Sequence, residues 1–185
     1  MDMTDPRILP DAFITVDIAR FDTLTAISRW EKRTIARELP DADTAAETPE
    51  TAVLPFFRWQ LHLVHRLAGM FRSSPPPEGC CLCLLMCDGA VVFRCENADA
   101  QKALSTALDW ADSHHIDHTE CMLFFSKPVF SQTAEQVIRA RIPVLISPET
   151  PTDRAVALAR RSHLNLLCSA RIDSVDIFAS RGLWD

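Results

Sequence analysis

The chain has 185 residues, of which 48% are hydrophobic and 24% are charged, and its net charge is -6. This composition is typical of one globular domain with at most a small appendage, and the acidic balance excludes a general nucleic-acid binder, which needs a basic face. No apolar run reaches the roughly 20 residues of a membrane span, and the first residues lack the basic-then-apolar pattern of a secretory signal. We therefore expect a cytoplasmic protein that binds neither nucleic acid nor a membrane.

The seven cysteines lie in apolar sequence, and only four residues are glycine. In a reducing compartment, such cysteines are mainly small buried hydrophobic side chains. Neither of the common glycine-rich phosphate-loop patterns occurs in the sequence. We therefore expect reduced, buried cysteines and no phosphate loop of these types.

The first 40 residues predict short strands. Apolar residues alternate over Phe13–Val16 and over Leu24–Trp30, a turn is predicted at Glu31 and Lys32, and Thr34–Leu39 follows as a further strand. A helix through the second half of this stretch fits nearly as well, so both alternatives stay open.

Residues 41–52 are acidic and have no apolar anchor, which predicts a linker. Apolar residues at spacings of three and four then predict an amphipathic helix over residues 53–71. The sequence therefore divides into a small β-rich or irregular N-terminal segment (1–40), an acidic linker (41–52) and an α/β domain (53–185).

From residue 80 onwards, short apolar strands alternate with helices. Strands Cys80–Met86 and Ala90–Arg94 flank an Asp-Gly pair, which is a strong hairpin signal, and Asn97 is predicted to cap a helix that runs to Ser113. The remaining elements are the strand Cys121–Phe125, the helix Ser131–Ala140, the strand Ile142–Ile146, a helix beginning near Thr152 with Thr150 or Thr152 as its cap, and strands near Leu164–Cys168 and Val175–Phe178. Strands that are apolar throughout are buried on both faces. The element order therefore predicts an α/β fold, a three-layer α/β/α sandwich with a mixed sheet.

Polar side chains follow three of these strands where each strand ends. In α/β sheets, ligands bind at the carboxyl ends of the strands, and hydroxyl groups, cationic side chains and a capped helix N-terminus suit a phosphate or a nucleotide diphosphate. The predicted ligand-binding residues are Ser126, Lys127, Thr150, Thr152 and Arg171. The alternative is that they are ordinary loop residues.

Cys80, Cys81 and Cys83 form a CxxC pattern at the start of the first strand of the domain. Residues three apart on a strand point to opposite faces, so Cys80 and Cys83 could not share a metal or a disulfide, whereas Cys81 and Cys83 share a face. Because Cys80 and Cys81 follow a proline-rich loop, one of their thiols could be accessible, and these two residues are the candidate catalytic nucleophiles.

Two groups of histidines have spacings that could suit zinc. His62 and His65 lie three apart on the predicted helix, and the histidines at positions 114, 115 and 118 precede Cys121. Solvated histidines on helix flanks and at helix C-termini are the more common situation. We therefore predict no metal site.

The segment from Phe71 to Phe178 resembles the C-terminal domain of the FdhD family, formate dehydrogenase accessory proteins that act as sulfurtransferases on the molybdenum cofactor. Within the best-matching run, residues 122–171, Ser126 fits the serine of a family loop, Pro151 and Thr152 fit a turn, and Arg171 fits an arginine that follows the last long strand. The resemblance implies a three-layer fold similar to that of cytidine deaminases. It also implies a ligand such as molybdopterin guanine dinucleotide or a guanosine nucleotide, and a molybdoenzyme or a cysteine desulfurase as partner.

The chain departs from this family where the family transfers sulfur. The acidic segment 41–52 has no cysteine at the place of the family's loop CxxC, and residues 95–103 lack the glycine, arginine and histidine of a second family motif. The sequence therefore predicts an FdhD-like accessory protein that binds a nucleotide or pterin-type ligand without the family's CxxC sulfur transfer. The alternatives are a non-catalytic interaction module, which a homodimer through an exposed apolar patch would favour, and a thiol-dependent sulfurtransferase using Cys80 or Cys81.

Overall fold

The computed structural model describes residues 12–17, 30–32, 63–171 and 174–180. Several predictions concern residues outside these ranges, namely the strand Leu24–Trp30 except for Trp30, the alternative helix in that stretch, the strand Thr34–Leu39, the linker 41–52, the first part of the helix 53–71 and any role of His62. The described elements are β1 (Ala12–Asp17), β2 (Trp30–Lys32), α1 (63–73), β3 (Cys81–Cys87), β4 (Ala90–Asn97), α2 (Ala100–Ser113), a short 3-10 helix (His118–Glu120), β5 (Cys121–Phe125), α3 (Ser131–Arg139), β6 (Val144–Ile146), α4 (Asp153–Arg161), β7 (Asn165–Cys168) and β8 (Ser174–Ala179).

The described strands form one mixed sheet with the order β2-β1-β8-β7-β6-β5-β3-β4. Strands β5, β6 and β7 are parallel to one another, and the other neighbouring pairs are antiparallel. Each parallel pair is connected through a helix, α3 or α4, as the alternation of strands and helices predicted. The predicted mixed sheet is confirmed.

The N-terminal strands extend this same sheet. β1 pairs with β8, and Trp30–Lys32 pairs with β1, with Phe13 opposite Glu31. The predicted strand around Phe13 is confirmed, whereas the predicted turn at Glu31 and Lys32 is wrong. These residues form a strand because β1 offers them backbone partners, which the local sequence does not reveal. The division of the chain at residues 41–52 stays a prediction.

Helices cover both faces of the sheet. On β3, Leu82, Leu84 and Met86 point to one face and pack with α1, while the alternate residues point to the face covered by α2, α3 and α4. All seven side chains of β3 are buried, as expected for a strand between two helical layers. The three-layer α/β/α architecture predicted from the sequence is therefore confirmed.

A tight turn connects β3 to β4, and a side-chain cap marks the start of α2. Asp88 and Gly89 both have positive φ, 50° and 75°, as a tight turn matched to the strand twist requires. Asp99, not Asn97, caps α2 and accepts hydrogen bonds from the N–H groups of Gln101 and Lys102. The prediction of Asn97 as cap is wrong because β4 continues through Asn97, which pairs with β3.

Candidate functional site

The parallel strands bring three loops to one edge of the sheet. β5 leads into Ser126 and Lys127, β6 into Ser147, and β7 into Ser169, and we call this group of loops the carboxyl edge. The loops are hydrogen-bonded to one another: Ser147 Oγ donates to the carbonyl oxygen of Lys127 at 2.9 Å, and Ser169 N donates to that of Glu149 at 3.2 Å. The carboxyl edge is therefore a connected surface.

Two of the predicted ligand-binding residues use their hydroxyl groups within the fold. Ser126 is buried, and its Oγ accepts a hydrogen bond from Leu82 N at 2.8 Å. Thr152 Oγ1 caps α4 by accepting from Ala155 N at 3.3 Å, which decides between the two predicted caps. Both side chains hold the loops in position, and their contact with a ligand stays a prediction.

The other three predicted residues reach the surface of the carboxyl edge. Lys127 is half-buried, and Thr150 and Arg171 are exposed. The backbone N–H of Arg171 donates to the carbonyl oxygen of Ser174 at 2.8 Å, which fixes the start of its loop. Lys127 and Arg171 thus place two cationic residues in the loops of the carboxyl edge, and their contact with an anionic ligand stays a prediction.

Phe130 is a feature of the same surface that sequence reasoning missed. It precedes α3, its side chain makes no cap for that helix, and it is 56% exposed. The neighbouring carbonyl oxygen of Val129 accepts a hydrogen bond from Thr152 N at 3.0 Å, so Phe130 lies beside the start of α4. The sequence contained one signal for this feature, a Phe at the N-cap position of α3, where Ser, Thr, Asp or Asn is usual.

The candidate nucleophiles lie at the start of β3, next to this edge. Cys80 is half-buried, whereas Cys81 is completely buried, and Cys81 Sγ lies 3.9 Å from Ser126 Oγ. A hydrogen bond from the Cys83 thiol is the main cause that lowers the pKa of Cys81, and hydrogen bonds from Ser126 and the charge of Lys127 add to it against the opposing effect of burial. The Cys81 thiol therefore has a lowered pKa but lacks direct access to solvent.

The Cys83 thiol has the opposite properties. It is completely buried, and its hydrogen bond to Cys81, followed by burial, raises its pKa. As predicted, Cys81 and Cys83 share a face of the sheet, the one covered by α2–α4. The pair therefore holds its proton on Cys83 and favours thiolate character on Cys81.

A disulfide joins Cys87 and Cys121, which stand opposite each other in the pairing of β3 with β5. The expectation of reduced cysteines is wrong for this pair. The two residues are separated by 34 positions in the chain, and the pairing of their strands places their Cα atoms 4.5 Å apart. The other cysteines within the described residues are free thiols.

The histidines near Cys121 have structural partners. His114 stacks on Trp110 at a centroid distance of 4.1 Å and its Nδ1 lies 2.8 Å from the Trp110 carbonyl oxygen. His118 Nδ1 lies 2.9 Å from the carbonyl oxygen of Ala140. The described residues contain no group of three His, Cys, Asp or Glu side chains that could hold a metal ion.

Among the described residues, no helix combines the length and the apolar character needed to cross a membrane.

Comparison with known proteins identifies the family of this chain. The sequence model of the FdhD/NarQ family matches residues 79–183, which is more than half of the chain. The chain belongs to the FdhD/NarQ family, and the resemblance seen in the sequence is confirmed.

Two relatives and one solved structure are similar to this chain. It is 26% identical over 147 residues to the sulfur carrier protein FdhD of Mycolicibacterium paratuberculosis, covering 79% of this chain and 52% of that protein. It is 24% identical over 97 residues to the protein FdhD of Methanocaldococcus jannaschii, covering 52% of this chain and 43% of that protein. The chain thus spans about half the length of these curated relatives.

The solved structure is that of a protein from Desulfotalea psychrophila described as a formate dehydrogenase accessory protein. The two chains superpose with a TM-score of 0.60 and 18% sequence identity, over 65% of this chain and 56% of the other. This likeness concerns the fold alone.

Proposed function

We propose that this protein is an accessory protein for a molybdenum-cofactor enzyme such as formate dehydrogenase, and that its carboxyl edge binds a nucleotide or pterin-type ligand. Membership of the FdhD/NarQ family supports the accessory role. The names of two similar proteins, a sulfur carrier and a formate dehydrogenase accessory protein, point in the same direction. Molybdopterin guanine dinucleotide and guanosine nucleotides are the ligands that we propose for the edge.

The observation that carries the ligand proposal is the convergence of two cations and a capped helix on one connected edge. Lys127 follows β5, Arg171 follows β7, and α4 begins between them after Thr152. A diphosphate needs cationic side chains and free backbone N–H groups, and the start of a helix provides the latter. Family proteins could use the same edge without the loop CxxC, because binding does not require a thiol.

Thermal unfolding with guanosine diphosphate tests the ligand. A ligand present at one hundred times its Kd stabilises the native state by about 2.7 kcal/mol, so binding raises the midpoint of unfolding. We expect this rise for the full chain and a much smaller one for Lys127→Gln and Arg171→Gln. Arg139→Gln and Arg161→Gln are matched controls, since both residues are exposed and lie in the last turns of α3 and α4, at the opposite ends of these helices from the carboxyl edge.

Two results would contradict the ligand proposal: no rise at millimolar nucleotide, or an equal loss of binding in the controls. The accessory role has a separate test. A tagged form of the chain, co-expressed with a formate dehydrogenase, should copurify with that enzyme, and failure of an expressed, folded protein to do so counts against this role.

A second candidate function is sulfur transfer at Cys80 or Cys81, and one observation favours it. The hydrogen bonds from Cys83 and Ser126, together with Lys127, lower the pKa of Cys81, and the thiolate is the reactive form of a cysteine. The thiolate would attack the outer sulfur of a persulfide carried by a donor such as a cysteine desulfurase. A new persulfide would form, and the donor cysteine would leave as a thiolate.

Native thiol labelling after incubation with a persulfide donor tests this second function. We expect the bound sulfur on peptide 73–94, and we expect Cys81→Ser to remove it while Cys168→Ser, a buried thiol on another strand, keeps it. Sulfur that remains on the Cys80→Ser, Cys81→Ser double variant would refute sulfur transfer by these two residues.

A further inference from the structure

Three thiols lie together on the face of the sheet beneath α2. Cys81 and Cys83 are two positions apart on β3, and Cys95 stands directly opposite Cys83 on β4. Directly paired residues on antiparallel strands have Cα atoms about 4.5–5.5 Å apart, within the range of about 4.4–6.8 Å that a disulfide allows. The expected Cα separation of Cys83 and Cys95 therefore lies within the range of a disulfide.

The three thiols differ in their access to solvent. Cys81 and Cys83 are completely buried, whereas Cys95 is half-buried and lies on β4, the last strand at this end of the described sheet. Burial raises the pKa of Cys95, but its position on β4 leaves part of the thiol accessible. A dissolved disulfide would therefore reach Cys95 first.

We propose that Cys83 and Cys95 are a redox site, which a low-molecular-weight disulfide of the glutathione type converts reversibly to a cross-strand disulfide. The site does not depend on a ligand at the carboxyl edge. It is also distinct from the disulfide between Cys87 and Cys121, which links β3 to its other neighbour, β5.

The reaction takes place by two thiol–disulfide exchanges. The Cys95 thiolate, having lost its proton to water, attacks one sulfur of the glutathione disulfide, and the first glutathione leaves as a thiolate. Cys83 Sγ then attacks Cys95 Sγ, and the second glutathione leaves and takes up the proton that Cys83 loses. The two cysteines lose two electrons and two protons in total, and the glutathione disulfide is reduced to two thiols.

The consequence for Cys81 follows from the loss of its donor. The hydrogen bond from Cys83 is the main cause that lowers the pKa of Cys81, and burial acts in the opposite direction. A disulfide sulfur has no proton to donate, so oxidation of Cys83 raises the pKa of Cys81. The acidic thiol beside the carboxyl edge therefore becomes less reactive.

Equilibration of the full chain in glutathione buffers of increasing oxidising power tests the site. Free thiols are blocked with N-ethylmaleimide in denaturant, and trypsin then separates residues 73–94 from residues 95–102. Cys87 also joins residues 73–94 to the peptide that contains Cys121, so we expect fragmentation mass spectrometry to find three joined peptides, with Cys83 linked to Cys95. Reductant should release the Cys95 peptide. Native labelling of Cys81 should also become slower after oxidation, because a higher pKa lowers the thiolate fraction.

The half-buried positions provide the variants, since Cys95→Ser and its matched control Cys80→Ser leave the completely buried thiols in place. Cys80→Ser should retain the link, and Cys95→Ser should lose both the link and the effect of oxidation on Cys81. The proposal is overturned if Cys95 stays free in a buffer that oxidises Cys87 and Cys121, or if Cys95 is joined to Cys80. Unchanged labelling of Cys81 in a protein that forms the link would overturn the control of Cys81.

Discussion

Ser126 connects β3 and β5 through one buried hydroxyl group and one backbone N–H. Its Oγ accepts from Leu82 N at 2.8 Å and lies 3.9 Å from Cys81 Sγ, while its own N–H donates to the Leu82 carbonyl oxygen at 3.0 Å. The residue therefore aligns the start of β3 with the end of β5. It also contributes to the low pKa of Cys81.

Ser126→Ala should lower the free energy of unfolding by about 1–3 kcal/mol, because the buried Leu82 N–H loses its acceptor. Urea denaturation measures this change, and Ser105→Ala, at an exposed position on α2, is the control. The substitution also removes a group that lowers the pKa of Cys81, so the pH midpoint of Cys81 labelling should move upwards. A variant as stable as the control would show that Leu82 N–H finds another partner.

At the scale of the element, α4 depends on its first turn. Thr152 accepts a hydrogen bond from Ala155 N, Asp153 lies in the positive first turn, and Arg160 and Arg161 lie in the negative last turn. The helix has nine residues and would be marginal in isolation. Its cap and its packing against the sheet together hold it in place, and they fix the loop that leads from β6.

Thr152→Ala should lower the free energy of unfolding by about 1 kcal/mol, because an N–H of the first turn loses its acceptor. Thr150→Ala should leave stability almost unchanged, since Thr150 is exposed and the cap hydrogen bond belongs to Thr152. Chemical denaturation of both variants against the unsubstituted chain gives the comparison. Equal losses in the two variants would contradict the assignment of the cap.

At the scale of the whole molecule, the sheet is stable only when both of its apolar faces are covered. α1 supplies Val64 and Leu67 to the face formed by the even-numbered residues of β3. Three helices cover the opposite face, which contains the thiols. The two layers therefore protect different sets of side chains of the same strands.

Leu67→Ala should lower the free energy of unfolding by about 2–5 kcal/mol, because Leu67 is completely buried and its removal leaves a cavity beneath α1. Arg72→Ala, on an exposed position of the same helix, is the control for changes in helix propensity. Thermal or urea unfolding measures both. A small loss for Leu67→Ala would mean that α1 is not needed to cover this face.

Much of the fold could be predicted from the sequence because it depends on local patterns. The hairpin follows from Asp88 and Gly89, whose positive φ angles the turn requires, and the bounds of β5 follow from five consecutive apolar residues. The alternation of such strands with helices predicts two covered faces. Membership of the family was likewise visible in the sequence, since residues 122–171 form one continuous run that resembles the family.

Other features are decided by the pairing of distant strands, and only the tertiary structure shows them. The Asn97 side chain was available to cap α2, but pairing of β4 with β3 keeps Asn97 in the strand and leaves the cap to Asp99. The same pairing places Cys95 opposite Cys83. The pairing of β3 with its other neighbour, β5, places Cys121 opposite Cys87. The sequence thus determines which elements form, because periodicity and turn chemistry are local, whereas the register between strands determines which thiols meet.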